Sequence, residues 1–587
     1  MTTEPTDERI ARLSPAKRAL LDRWRAPGQL AGTPANGGTT PEEQLLLRLC
    51  AEALRADEVT VADSFIALGG DSITSLLVAA KATAAGFPLT SRQLLEAESL
   101  GQLVADLRRT KAASPAADRP TGPSELTPVQ RWFFAQQFPD ARQWHQTMVL
   151  ELRARPEPDI LAAALNQVVA RHEVLSSAFV EDRGAWSQVV LDRAVEVELS
   201  VVSLGPDADD DTALRHTAEV VSRSADLAAG RLVAAVLLRG GGRSDRLLLA
   251  VHHLVVDGVS MRVLMADIEV VYQALRAGRT ALLPPRTSSY RQWSGVLSRY
   301  AGSRAVAAEL DYWRSVPAAS AAALPVDVAG ASNVVADRAT VRTEVGPSVV
   351  SRLLRDVPRG SGFQVHHVVL AAMLLAWHRV FGSARLQADL ESHGREPVDS
   401  SVDVSRTVGW FTTIYPVVFE QLAGAPLDVL RAVRDTLAKI PANGIGYGLL
   451  RYLTASGGTA LADGPPSQLS FNYLGRFDRQ PGEDALFGLP VGAPLVLQNE
   501  RVQRPCLVDV VASIAGDTLL IQWDFSSRAY AGATIGRLVD AQVRAIGELV
   551  DLALAGVGRR VSVGLTDAQL ASIHRQLGTS GARRPGD

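Results

Sequence analysis

The six residues Leu68–Ile73 read Leu-Gly-Gly-Asp-Ser-Ile, and they place Ser72 at the start of a predicted amphipathic helix. Two glycines before the helix permit a sharp turn into it. Unpaired N–H groups and the positive helix end favour a phosphate at such a position. Ser72 is therefore a candidate attachment site, although a serine at a helix start is more commonly only a cap. The helix is inferred from apolar residues that recur at i, i+3, i+4 and i+7, namely Ile73, Leu76, Leu77 and Ala80.

Further helices are predicted on both sides of this one. Thr40, Pro41 and Glu43 supply an N-cap, a first-turn proline and a capping-box acid. The helix that they open carries the apolar residues Leu45, Leu46, Leu49 and Leu54. Ser99 begins another short helix, which runs through Leu103 and Leu107. The sequence thus predicts a bundle of short helices.

This bundle, with a serine at the start of its second long helix, resembles the peptidyl carrier domain of non-ribosomal peptide synthetases. The resemblance covers Thr40 to about Arg109. It implies that Ser72 carries 4'-phosphopantetheine, attached by a separate phosphopantetheinyl transferase from coenzyme A, with an amino acid held on its thiol as a thioester. Asp71 is similar to the residue found in carriers that precede epimerization domains.

The overall composition argues against several classes of protein. The formal net charge of −3 gives no reason to expect nucleic acid or an anionic membrane surface as a partner. Only Cys50 and Cys506 occur, which suits a reducing cytoplasm better than a disulfide scaffold. The N-terminus lacks the apolar core of a signal peptide. The longest clean apolar run, Val368–Trp377, is too short to cross a bilayer, so we expect a buried core helix there.

Changes in composition divide the chain into five segments. We expect an N-terminal tail over 1–38, a carrier domain over 39–110, a linker over 111–124, a large domain over 125–557 and a C-terminal tail over 558–587. Each tail holds an apolar stripe that is a candidate docking helix for another chain, although a helix folded onto its own domain explains it equally well. The two stripes are Leu20, Leu21 and Trp24, and Leu565, Leu570, Ile573 and Leu577.

The large domain alternates helical and strand patterns, which predicts an α/β fold. Its size suggests an N-lobe over about 125–320 and a C-lobe over about 330–557. We predict helices over Leu161–Val174, Leu353–Arg355, His366–Val380 and Ala533–Leu554, and strands over Arg246–His252 and Leu519–Asp524.

Immediately after the first of these strands the chain reads His252-His253-Leu-Val-Val-Asp257-Gly258. Neighbouring side chains of an extended chain point to opposite faces, so only one of the two histidines can face a given cleft. A metal site is an alternative, but no third or fourth ligand stands at a recognisable spacing, and we predict none. Taken alone, the string is more typical of core or surface histidines.

The string does not stand alone, because it matches the HHxxxDG signature of the condensation-domain superfamily. The resemblance implies two chloramphenicol-acetyltransferase-like α/β lobes forming a V, with a tunnel between them. Further segments resemble the epimerization branch and follow in the family's order: Leu126–Phe134, Glu391–Glu396, Thr407–Thr412 with Tyr415 and Pro416, Pro441–Arg451, and Phe471–Gly475. The fold expected is therefore an α-helical carrier bundle plus an α/β epimerization domain.

Racemising an aminoacyl thioester needs a carboxylate base, a donor near the thioester oxygen and a second proton carrier on the opposite face. The resemblance makes Glu391 the base or acid and His253 its counterpart, which either donates to the oxygen or exchanges a proton. Tyr473 is a candidate second donor or relay, with packing as the even alternative. An apolar tunnel is expected to raise the proton affinity of Glu391.

Further residues are expected to support this chemistry. The resemblance implies that Asp257 and Arg395 form an ion pair that holds the histidine loop against the opposing segment. Trp410 and the glycines at 444, 446 and 448 are expected to shape the tunnel. Gly258 lets the chain leave the histidine loop. His252 and Asn472 complete the supporting set.

Two residues depart from the family pattern. Ser392 replaces a glycine after Glu391, and Met261 replaces a tryptophan after the histidine motif. A hydroxyl beside the base is expected to narrow the tunnel or add a hydrogen bond, which affects substrate choice and rate.

The sequence therefore predicts epimerization at Cα of an L-aminoacyl or peptidyl thioester. No adenylation-type phosphate loop precedes the carrier, so we expect an adenylation enzyme to load it in trans and a downstream condensation domain to select the D form. Three alternatives remain open: acyl transfer between carriers, an inactive docking module, and another reaction that begins with Cα deprotonation, such as elimination.

Overall fold

The computed structural model describes residues 39–561 apart from 55, 57, 67, 71, 88, 110–120, 206–209, 241–243, 319–322, 463, 465, 478–484 and 491–494. The two predicted docking stripes and most of the predicted linker therefore lie outside the described residues. The end of that linker differs from the expectation, because Gly122–Ser124 forms a short strand, β1. Its backbone pairs with a later strand, a role that the Gly/Pro/Ser composition does not reveal.

The carrier segment is a four-helix bundle with its own apolar core. The predicted capping box is present: Thr40 N donates to Glu43 Oε2 (2.7 Å), and Glu43 N donates to Thr40 Oγ1 (3.3 Å). The helix predicted at Ser72 begins there, while the side chains of Ile73, Leu76 and Ala80 lie outside the described part. The helices are α1 (Pro41–Leu54), α2 (Ser72–Ala84), α3 (Ser91–Glu96) and α4 (Leu100–Arg109).

The N-lobe is built on a six-stranded sheet flanked by helices. The predicted strand Arg246–His252 lies at its centre, with the bounds expected. The first strands of this lobe are β2 (Trp144–Leu152), β3 (Ser177–Asp182), β4 (Ala185–Val190), β5 (Leu199–Ser203), β6 (Val233–Arg239) and β7 (Arg246–His252), of which β2, β5, β6 and β7 belong to the six-stranded sheet. The helices are α5 (Pro128–Ala135), α6 (Pro158–Arg171), α7 (Asp210–Ser222), α8 (Gly258–Arg276), α9 (Tyr290–Ala301), α10 (Arg304–Ala308) and α11 (Leu310–Ala318). In this lobe β1, β4 and β3 form a separate three-stranded sheet.

The C-lobe is built on a second six-stranded sheet. Its strands are β8 (Arg338–Val345), β9 (Leu386–Ser392), β10 (Thr413–Phe419), β11 (Leu469–Phe477), β14 (Val508–Ala515) and β15 (Thr518–Ser526), in the order β10-β9-β11-β14-β15-β8. Its helices are α12 (Pro347–Ser361), α13 (Val365–Phe381), α14 (Pro426–Leu437), α15 (Ile445–Leu453), α16 (Ala455–Ala460) and α17 (Gly532–Val561). The run Val368–Trp377 is buried in α13, as predicted.

Two strands cross between the lobes, which the division at about residue 320 does not anticipate. The strands β12 (Phe487–Pro490) and β13 (Leu495–Gln498) follow β11 of the C-lobe in sequence, but both pair with β2 of the N-lobe. The N-lobe sheet therefore has the order β12-β2-β7-β6-β5, with β13 also on β2. The two lobes share one continuous apolar core.

Across the described residues, no single helix combines the length and apolar character that crossing a membrane requires. Within the described part of the chain, the pair α12 and α13 reaches the required length and apolar character only when the two helices are taken together. They are bent by 104° at their junction.

Candidate active site

Strand β7 delivers the two histidines of the motif to different environments. His252, its last residue, is fully buried: its Nε2 donates to Ala141 O (2.8 Å), and its Nδ1 accepts from Leu254 N (3.3 Å). His253 begins a short 3₁₀ turn, and its ring lies 4.5 Å from the Trp410 ring. Burial lowers the pKa of both imidazoles, so both are neutral near pH 7.

His253 lines a cavity of about 520 Å³ between the lobes, which we call the central cavity. From the predicted set, Asp257, Glu391, Asn472 and Tyr473 also line it, whereas His252, Arg395 and Trp410 do not. The structure thus brings the three predicted catalytic side chains and two of the supporting ones to one cavity. Among the described residues, no group of three or more His, Cys, Asp or Glu side chains is arranged to hold a metal ion.

Glu391 lies next to the end of β9 and reaches the central cavity from the C-lobe. Its Oε2 accepts a hydrogen bond of 2.6 Å from Asn472 Nδ2 on the neighbouring parallel strand β11. Burial raises the pKa of Glu391 to about 7, and the carboxylates of Asp509 and Asp389 add to the effect. A carboxylate with this pKa can take and return a proton near neutral pH.

Asp257 and Arg395 form the expected ion pair, with Arg395 Nη2 at 3.2 Å from Asp257 Oδ1. The carboxylate also accepts from Ser260 N (2.7 Å) and Phe411 N (3.0 Å). Arg395 Nη1 donates to Val404 O (2.6 Å) and Thr407 O (2.7 Å), so each charge is compensated on several sides. The pair joins the histidine loop of the N-lobe to the segment that follows β9 in the C-lobe.

The two departures from the family pattern have different surroundings. Ser392 Oγ lies 2.5 Å from Thr413 Oγ1 and donates to Asn443 O (3.2 Å), so the expected added hydrogen bond is present. That bond ties β9 to a loop in which Ala442 and Asn443 both have positive φ. Met261 is fully buried and is not among the residues that line the central cavity.

A second cavity of about 640 Å³, which we call the aromatic cavity, lies beside the central one. Trp410 lines it together with Asp389, Arg451 and several aromatic rings. Thr412 and Tyr415 line both cavities and so form the partition between them. Gly444 lies against this partition at φ +85°, and a Cβ there would lie 2.1 Å from the Tyr415 ring, which explains the glycine.

The carrier contributes to the central cavity as well. Ile66 and Leu95 line it, and α2, which starts at Ser72, packs beside β11, the strand that holds Asn472 and Tyr473. Gly69 turns the chain into α2 at φ +95°, and a Cβ there would lie 3.0 Å from Leu354 O in the C-lobe. The carrier bundle that would bear the prosthetic arm therefore borders the cavity that holds the predicted catalytic residues.

Three comparisons with known proteins agree with this arrangement. A family model described as "Condensation domain" matches residues 122–563, and one described as "Phosphopantetheine attachment site" matches residues 44–107. The chain belongs to the condensation-domain family. Its carrier segment implies covalently attached 4'-phosphopantetheine, and the expected pairing of a helical carrier with a condensation-type α/β domain is confirmed.

Relatives of this condensation-family chain include chondramide synthase cmdD of Chondromyces crocatus, 35% identical over 507 residues, and surfactin synthase subunit 1 of Bacillus subtilis (strain 168), 31% identical over 513 residues. These alignments cover 84% and 86% of this chain but only 13% and 14% of the relatives. The chain thus spans roughly one seventh of the length of these curated relatives.

Solved structures of the condensation family extend the comparison. The epimerization domain from the third module of tyrocidine synthetase B matches with a TM-score of 0.71 and 29% identity, over 76% of this chain and 99% of that one. The condensation domain from the Monacolin K polyketide synthase MokA matches with a TM-score of 0.60 and 18% identity, over 74% of this chain and 98% of that one. The second match shows the shared fold alone.

Sequence reasoning missed several residues that line the central cavity, among them Gln146, Arg262 and His366. They belong to no motif quoted above. The sequence gives no signal for Gln146, because it stands between His145 and Thr147 in a run of three polar residues.

Proposed function

We propose that this chain epimerizes Cα of an L-aminoacyl or peptidyl thioester carried on its own phosphopantetheine arm. The observation that carries the proposal is the composition of the central cavity. Glu391 enters it from the C-lobe, His253 enters it from the N-lobe, and Ile66 and Leu95 of the carrier line it too. The match to an epimerization domain at 29% identity supports the same reaction.

Bound at Ser72, phosphopantetheine supplies a thiol that holds the acyl group as a thioester, which makes the Cα proton more acidic. Glu391 in its ionised form accepts that proton at a carboxylate oxygen. Its pKa of about 7 leaves a substantial ionised fraction at neutral pH and lets the acid return the proton afterwards. Asn472 holds Oε2 by a hydrogen bond and leaves Oε1 as the atom for the transfer.

Inversion requires that a proton reach Cα from the face opposite Glu391. His253 belongs to the other lobe and is the first candidate for that second proton carrier; because burial favours its neutral form, it must bind a proton before it can deliver one to Cα. Tyr473 lies on β11, one residue from Asn472, and is the alternative. Both side chains line the central cavity. Replacing each in turn and measuring inversion at Cα distinguishes which of them is the second proton carrier.

The remaining residues position these groups. Asp257 and Arg395 fix the histidine loop against the C-lobe, and His252 anchors the end of β7 through Ala141 O. Trp410 packs on the ring of His253 and limits its movement. Partners follow from the carrier chemistry: a phosphopantetheinyl transferase attaches the arm, an adenylation domain supplies the acyl group, and a downstream condensation domain receives it.

The test loads the full chain with an L-aminoacyl phosphopantetheine arm and follows Cα deuterium uptake and chirality in D₂O. The parent should exchange Cα–H and yield a D/L mixture. Glu391→Gln should lose at least about 10²-fold in exchange while loading at the carrier is retained. Glu344→Gln, an exposed site on the far edge strand β8 of the same sheet, is the matched control and should behave as the parent.

Each rival function has its own outcome in this assay. Dipeptide formation with a second loaded carrier, without exchange, would indicate acyl transfer. A change of product mass would indicate elimination, and a loaded parent that takes up no deuterium would indicate an inactive docking module. Equal exchange by Glu391→Gln and the parent would refute the role of Glu391.

A further inference from the structure

Gln146 is a buried polar residue, the third of the internal strand β2. Side chains alternate along β2, so Gln146 and Met148 share one face, and both line the central cavity. Only 7% of Gln146 is exposed. A carboxamide buried this deeply in a strand normally has hydrogen-bond partners, because leaving it without them costs free energy.

The carboxamide of Gln146 has no partner among the described residues. Its Oε1 is fully buried and accepts no hydrogen bond there. Its Nε2 also donates to none of the described residues. Unlike Oε1, Nε2 is not fully buried. Because Gln146 lines the central cavity, Nε2 is the polar atom that it presents to that space.

The start of helix α8 lies next to this amide. Gln146 Nε2 is 3.8 Å from the point that a Cβ on Gly258 would occupy. Gly258 and Val259 form the first turn of this 19-residue helix, and both line the central cavity. Asp257 caps the N–H of Ser260, whereas those of Gly258 and Val259 find no acceptor within the described part of the chain.

We propose that Gln146 Nε2 and the first-turn N–H groups of α8 together bind the thioester carbonyl oxygen. This inference rests on the proposed epimerization and names a catalytic residue for it. Negative charge develops on that oxygen when Glu391 removes the Cα proton, and fixed donors at a positive helix end stabilise it. With the oxygen held by these donors, His253 is not needed there, and its imidazole can take up a proton and deliver it to Cα as the second proton carrier.

The first measurement is independent of turnover. The holo chain is loaded with an L-aminoacyl group labelled with ¹³C at the thioester carbonyl, and the infrared stretch of that carbonyl is recorded. In the parent it should lie below the frequency of the same thioester free in buffer, because hydrogen bonds weaken the C=O bond. Gln146→Met has similar size but no donor, and it should move the band back towards higher frequency.

The second measurement is Cα deuterium exchange on the same samples. Gln146→Met should lose roughly 10²-fold in exchange rate, the usual effect of removing one such donor. Gln146→Glu should lose more, because its carboxylate repels the developing charge. Gln273→Met makes the same replacement on α8, where the side chain instead donates to Glu269 (3.1 Å), and it should leave both readouts unchanged.

Failure of this inference differs from failure of the proposed function. A parent that does not exchange refutes the epimerization, and the infrared band then still reports whether Gln146 binds the oxygen. A parent that exchanges while Gln146→Met leaves the rate and the band unchanged refutes the role of Gln146. Full activity in Gln146→Glu would show that the side chain acts as an acceptor, which also overturns the proposal.

Discussion

Asn472 Nδ2 donates a hydrogen bond of 2.6 Å to Glu391 Oε2 across the parallel strands β11 and β9. This contact joins two segments that are far apart in sequence and fixes one oxygen of the carboxylate. A hydrogen bond to the ionised form opposes the burial that raises the pKa of Glu391. The balance between the two sets the pH range in which Glu391 can act as a base.

Replacing Asn472 with Leu removes the donor and should raise the pKa of Glu391 above its present value of about 7. The rising limb of Cα exchange against pH should therefore move to higher pH, and the rate at pH 7 should fall roughly tenfold. Asn472→Asp places a second carboxylate beside Glu391 and should move the limb in the same direction. An unchanged limb in both variants would show that this contact does not control the base.

Asp389→Asn should have the opposite effect on the pH profile. The charge of Asp389, two residues before Glu391 on β9, adds to the increase in the pKa of Glu391. Without that charge, the limb should move to lower pH, and exchange at pH 6 should rise about threefold. Asn can still accept the hydrogen bond from Ser467 Oγ (2.5 Å), so the strand should remain intact. The pH dependence of exchange checks this, and a limb that stays in place would count against it.

Glu391 should also influence stability with pH. Its folded pKa of about 7 lies above the unfolded value of about 4.3, so protonation favours the folded state. The stability that it contributes is complete below about pH 4 and is lost as the pH rises through 7. Glu391→Gln should therefore be more stable than the parent at pH 8, by roughly 1–3 kcal/mol, and the difference should vanish near pH 4. Denaturant unfolding at both pH values measures it, and a constant difference would contradict the linkage.

The buried pair of Asp257 and Arg395 should respond unequally to two substitutions. Arg395→Met leaves the buried Asp257 carboxylate with two backbone N–H donors but no counter-ion, and it should cost about 3–5 kcal/mol in the free energy of unfolding. Asp257→Asn retains an acceptor for Ser260 N, while Val404 O and Thr407 O still accept from Arg395, so its cost should be smaller. Urea unfolding of the two variants compares these costs, and the reverse order would disprove the argument.

Gly70→Ala should destabilise the carrier selectively. A Cβ at Gly70 would lie 2.2 Å from the ring of Phe65, which is fully buried in the carrier core. We expect a loss of about 1–3 kcal/mol from overpacking. Proteolysis of the carrier segment relative to the condensation-family domain would show it, and equal protection in parent and variant would argue against the clash.

Local patterns in the sequence predicted much of the fold and of the site. The apolar run before His252 gave β7 with its bounds, and the spacing of Thr40 and Glu43 gave the first helix start. The resemblance placed Glu391 and His253 together, and the structure has both in one cavity. These features depend on short windows or on motifs whose residue types the chemistry requires.

Other features depend on contacts that a linear pattern does not encode. The pairing of β12 and β13 with β2 joins residues more than 300 positions apart, and alternation along a strand does not name its partner. Gln146 belongs to no motif, and its importance appears only when Gly258 is seen beside it. The positive φ at Ala442 is likewise not predicted by its residue type, because a residue with a Cβ rarely adopts it.

The crossing of β12 and β13 has a mechanical consequence. Two lobes can open about a hinge only if they are connected on one side and free on the other. Here the chain leaves the C-lobe sheet after β11 and pairs with β2 of the N-lobe sheet. Separating the lobes would require breaking the backbone pairing of β12 and β13 with β2. We therefore expect the prosthetic arm and its acyl group to enter along the length of the central cavity, with little change in the separation of the lobes.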